Sequence, residues 1–141
     1  MRILILLSAL LVSACGAKAN PVAPQPPVTL SLPGTWTGTY SSAQLGAGTA
    51  RFVLTHQGSA VGGTWSITAT RTGETSSGTV SGTASNLTSG ATFTLTLASS
   101  DPRTCPFQST MTALAHLNEL LGDWVTTNCT VAASGTLILR R

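Results

Sequence analysis

Residues 91–98 read Ala-Thr-Phe-Thr-Leu-Thr-Leu-Ala, so that Phe93, Leu95 and Leu97 alternate with Thr92, Thr94 and Thr96. A period of two puts the apolar side chains on one face of a strand and the hydroxyls on the other, the pattern of a sheet packed on one side and wet on the other. The same alternation extends in both directions. Trp36, Gly38 and Tyr40, then Phe52 and Leu54, then Trp65, Ile67 and Ala69, then Val80, Gly82 and Ala84 precede it. Phe107 and Met111, Trp124, and Leu137 and Leu139 follow it, and their neighbours are mostly Thr or Ser.

Clusters of turn-forming residues separate these runs: Gly46-Ala47-Gly48, Gln57-Gly58-Ser59, Arg71-Thr72-Gly73-Glu74, Ser85-Asn86 through Ser89-Gly90, Ser99-Ser100-Asp101-Pro102, Asn118-Glu119 and Ala133-Ser134-Gly135. Seven turns predict eight strands within residues 32–141. The expected fold is all-β, a small eight-stranded antiparallel up-and-down barrel. Eight strands close around an interior just wide enough for packed side chains or one small ligand. The large inward residues predict a mostly filled lumen. Met111 to Leu121 also suits a helical turn, since Leu114, Leu117 and Leu121 stand at helical spacing.

Composition supports a β reading. The chain has 141 residues, 24 of them Thr and 16 Ser, while only 8% are charged, against roughly 25% in an ordinary domain. Helical bundles and coiled coils are excluded on that ground. The net charge of +3 rests on seven cations and four acids scattered along the chain, so no basic stripe for nucleic acid arises. An outer surface of Thr and Ser also argues against strands that face lipid.

The first residues carry an address. Met1 and Arg2 precede an apolar run from Ile3 to Val12, which closes on Ser13 and Ala14 before Cys15. Residues 1–14 read as an export signal, too short to span a bilayer as a helix. Val12-Ser13-Ala14-Cys15 resembles the lipobox of bacterial lipoproteins. That resemblance implies that the Cys15 sulfur carries a diacylglyceryl group and that Cys15 becomes the first mature residue. In the lipoprotein pattern an Asp after the Cys retains the product at the inner membrane; Gly16 stands here, which implies the outer membrane. Residues 15–31 read as a tether in which Pro21, Pro24, Pro26 and Pro27 crowd together. Pro-rich chain extends at about 3.1 Å per residue, so the tether spans up to about 50 Å.

Cys105 and Cys129 form an even pair in an exported chain, and a disulfide is the expectation. In a meander both fall at the same end of one hairpin. No Cys-x-x-Cys or His-x-x-x-His spacing points to zinc. The same topology sorts the charges. His56, His116, Glu119, Asp123, Arg140 and Arg141 fall toward the tethered end; Arg71, Glu74, Asp101 and Arg103 fall at the far end with the bridge. A ligand mouth, with Arg71 and Arg103 as its candidate residues, is expected there. No catalytic residues, cofactor or metal are expected. His56 and His116 lack a nucleophile in a recognisable motif, the acids are split between the ends, and no phosphate-binding loop occurs.

Gly34-Thr35-Trp36 opening the first strand, with Arg140 ending the last, resembles lipocalins and related calycins. That resemblance implies that Trp36 plugs the tethered end and that Arg140 covers its indole in a cation–π contact. The function expected is that of a non-catalytic lipid-anchored envelope lipoprotein. Its barrel would bind a modest apolar or amphiphilic ligand or present an interaction surface. The alternative is an inhibitor of a hydrolase, a protease or a lysozyme, that inserts a loop or its N-terminal strand into the enzyme cleft.

Overall fold

The computed structural model describes residues 26–101, 105–114, 117–130 and 132–141. Its strands are β1 (Gly34–Ser42), β2 (Gly46–Gln57), β3 (Ala60–Ala69), β4 (Thr75–Thr83), β5 (Thr92–Ser99), β6 (Phe107–Leu114), β7 (Glu119–Thr126) and β8 (Ser134–Arg140). Each pairs antiparallel with the next, and β8 pairs with β1 to close the barrel. Closure leaves no sheet edge. The alternation that predicts the strands also decides their faces. Along β5, Phe93, Leu95 and Leu97 are buried while Thr92, Thr94 and Thr96 are exposed. Outside, Thr39, Thr49, Thr68 and Thr75 form one row across four strands, as suits stiff β-branched side chains on a pleated surface.

The lumen is filled by alternating large and small residues. Trp36, Phe52 and Trp65 are cross-strand neighbours on β1, β2 and β3 and are almost wholly buried. Each such burial contributes about 1.5–3 kcal/mol. Room for the rings comes from glycine opposite them. Tyr40 pairs with Gly48, Trp65 with Gly78 and Trp124 with Gly135. A Cβ at Gly135 would lie 2.8 Å from the Trp124 ring, and one at Gly48 would lie 2.9 Å from Tyr40 Cζ. Both rings therefore pack directly on the glycine backbone opposite them.

Two turn expectations need correction. Residues 43–45, not Gly46-Ala47-Gly48, make the first turn; all three of those residues belong to β2. Ser134 and Gly135 likewise belong to β8 and not to the turn before it. Glycine in these places seats an aromatic ring, and a local reading confuses that role with a turn. The segment Met111 to Leu121 is strand at both ends, in β6 and β7, and Leu117 between them lies in a 3-10 turn, so the helical reading holds only for that turn. Met111, Ala113 and Leu120 are buried on β6 and β7, whereas Leu117 and Leu121 are exposed.

Cys105 and Cys129 are bonded, with their Cα atoms 5.9 Å apart. They lie just outside β6 and β7, as the hairpin argument requires. The Thr127 amide and hydroxyl donate to the Pro106 carbonyl at 2.8 and 3.2 Å beside the bridge. Closing this loop stabilises the fold by roughly 3 kcal/mol in the chain-entropy picture.

Candidate functional site

The two ends of the barrel differ. At the end where β1 begins, the chain before the strand folds into the lumen. Leu30 and Leu32 are buried, the Leu30 amide donates to the Leu87 carbonyl at 2.7 Å, and Thr29 forms a bridge with Thr88. The packed barrel thus includes Leu30, within the stretch read as tether. Trp36 lies above this plug with 0% of its surface exposed, and its indole N–H donates to the Leu32 carbonyl at 2.8 Å.

A cation does cover that indole, but it is Arg141 and not Arg140. The Arg141 guanidinium carbon lies 5.4 Å from the ring centroid, and its Nη1 donates to the Pro33 carbonyl at 2.8 Å. The strand period explains the exchange. Leu137 and Leu139 point inward, so Arg141 shares their side while Arg140 shares the outer side of Ile138. Arg140 instead donates through Nε and Nη2 to Glu119 Oε1 at 2.9 and 2.7 Å. His56, half-buried near the end of β2, donates from Nε2 to the Ala84 carbonyl at 3.1 Å, a contact that ties β2 to the segment after β4. Cys15 and His116 lie outside the described residues.

At the opposite end the lumen opens. Tyr40 and Leu137 form one wall, Ile67 and Leu97 the facing one, with Phe52 beneath. Phe107 and Trp124 complete the rim, and Leu45, on the turn between β1 and β2, leans over it. Free space at this mouth amounts to about 30 Å³. The barrel is therefore filled except at this mouth. Trp65, Phe107 and Trp124 run as a chain of tilted rings, with centroids 4.9 and 5.8 Å apart. Such pairs add about 0.5–1.5 kcal/mol beyond area burial. The Cys105–Cys129 bridge clamps the hairpin that carries Phe107 and Trp124.

Polar groups at the mouth are few. The Ser109 hydroxyl donates to the Asp123 carbonyl at 3.1 Å and is satisfied. The Trp124 indole N–H is buried with no acceptor. Tyr40 makes no side-chain hydrogen bond among the described residues. Burial raises the Tyr40 pKa above its ordinary value of 10.0, so the hydroxyl remains a donor at neutral pH. The chain has one Tyr, so tyrosinate absorbance reads this group alone. In the unfolded chain it ionises first. The stability it confers is full below about pH 10 and falls as pH rises toward the folded value. A native titration midpoint at or below that of the urea-unfolded chain would refute this.

Of the expected mouth residues, Arg71 sits exposed on the turn between β3 and β4 and does not line the opening. Arg103 lies outside the described residues. The mouth is at the end the topology predicts, but its wall is aromatic and aliphatic. Sequence reasoning missed Leu45 and the two donors. Only the pairing register shows that Tyr40 and Trp124 flank β8, opposite Leu137 and Gly135.

No protein-family model and no curated protein matches the chain. A solved structure described as EF1p2_mFAP2b bound to DFHBI superposes with a TM-score of 0.64 at 15% identity, covering 78% of this chain and 93% of that one. At that identity the likeness is one of fold, and it agrees with the closed eight-stranded barrel.

Proposed function

We propose that this chain is a non-catalytic, lipid-anchored lipoprotein of the bacterial outer membrane whose barrel holds a small apolar or amphiphilic molecule at the end away from its anchor. The observation that carries the binding half is the apolar mouth over Phe52, walled by Tyr40, Ile67, Leu97, Phe107 and Trp124 in an otherwise packed barrel. Ligand sites are concave, mainly apolar and furnished with a few polar groups that fix orientation. Free space of about 30 Å³ takes only the tip of a ligand, the end of a ring system or of a short alkyl chain, and not a whole lipid. The similar barrel described as bound to DFHBI supports the same use of the fold. The anchoring half rests on Val12-Ser13-Ala14-Cys15 and the Pro-rich stretch after it.

The reading is tested by titrating the full chain, held in detergent with micelles alone as the blank, with the neutral fluorophore Nile red. Saturable blue-shifted emission is expected. Leu45→Asp should weaken it about tenfold, since it sets a charge against an apolar wall. Leu45 is 55% exposed, so the melting temperature should hardly move. Binding that never saturates, or that ignores Leu45→Asp, would overturn the reading.

A further inference from the structure

The mouth carries one buried hydrogen-bond donor with nothing to donate to, Trp124 Nε1–H, and beside it the Tyr40 hydroxyl, which has no protein partner among the described residues. Trp124 is 7% exposed, its Nε1–H is buried without an acceptor, and it belongs to a side chain that lines the opening. Tyr40, 6% exposed and lining the same opening, makes no side-chain hydrogen bond among the described residues. Buried donors are normally paired, and one left unpaired calls for an explanation such as a missing partner. Here the two stand on either side of β8, opposite Leu137 and Gly135, and so address one stretch of the mouth.

The rest of the wall defines the remaining chemistry. No charged side chain lines the mouth, so a full charge brought there would lose its hydration without a counterion. The Tyr40, Phe52, Phe107 and Trp124 rings line the mouth, and aromatic surfaces favour an aromatic, planar occupant. Resting on the mouth as the binding site, we propose that it selects a planar, neutral molecule with a hydrogen-bond-accepting oxygen. In chemical class this is an aryl ketone, whose carbonyl accepts from Trp124 Nε1 and the Tyr40 hydroxyl. Leu45, the exposed side chain on the first turn, moves aside to admit it.

The test compares two probes of nearly the same shape, 2-acetylnaphthalene and 2-ethylnaphthalene, by equilibrium dialysis against the full chain in detergent. The ketone's advantage over the hydrocarbon, relative to micelles alone, should fall about fivefold in Tyr40→Phe and again in Trp124→Phe. Tyr40→Phe keeps the ring over Gly48 and preserves the test if Trp124→Phe fails to fold. An infrared carbonyl band moved to lower frequency on binding is expected independently of any variant. If the hydrocarbon binds but the ketone's relative advantage is the same in Tyr40→Phe as in the unaltered chain, the donor assignment falls and the mouth survives. If neither probe binds, the mouth reading falls with it.

Discussion

Trp36→Ala should lower the stability of the barrel by about 3–5 kcal/mol, the usual cost of deleting a fully buried large aromatic. The expectation is at the upper end of that range for three reasons. Trp36 has none of its surface exposed, it packs beside Phe52 on the neighbouring strand, and it holds the N-terminal plug through the Leu32 carbonyl. Truncation leaves a cavity, frees that carbonyl and removes the surface under Arg141. Each kcal/mol shifts the melting temperature of a domain this size by about 4–8 °C, so a fall on the order of 20 °C is predicted. Calorimetry of the variant reads it directly. A fall of less than about 5 °C would mean that this end is not closed as described.

Cys15→Ser should move the protein from the membrane fraction to the soluble one. Acyl chains contribute about 0.8 kcal/mol per buried methylene, and one chain alone holds only marginally, whereas several hold stably. Removing the attachment atom leaves a barrel whose described outer surface is largely Thr and Ser, with little to retain it on a bilayer. The check is fractionation of cells expressing each form, with flotation to separate membranes from aggregates. Equal flotation of both forms would contradict the anchoring proposal.

Much of the barrel was legible because its strands obey one rule. Phe93, Leu95 and Leu97 against Thr92, Thr94 and Thr96 leave one way to face a core, and short turns leave neighbouring strands antiparallel. The same rule, followed one residue further, identifies Arg141 in place of Arg140 as the cover of Trp36, since Leu137 and Leu139 fix the inward parity. What the sequence conceals is the second use of glycine. Gly48 and Gly135 look like turn residues, yet each sits within a strand beneath an aromatic ring. Their neighbours across the sheet decide the role, and those neighbours are distant along the chain. The mouth was hidden for the same reason. Tyr40, Ile67 and Trp124 look alike as inward residues, and only closure of β8 on β1 brings Tyr40 and Trp124 to either side of one strand.

The three tryptophans offer the most direct measurement of where a ligand sits. The indole N–H of Trp36 is committed to Leu32 and that of Trp65 to the Ala98 carbonyl at 3.1 Å, while that of Trp124 has no acceptor. In a ¹⁵N–¹H spectrum of the full chain titrated with 2-acetylnaphthalene, the Trp124 indole signal should move downfield, with the Trp36 signal unmoved at the plugged end. A Trp124 signal that stays fixed while Trp36 shifts, or while backbone signals shift on the outer face at Leu121 and Ile138, would place the ligand elsewhere and contradict the account.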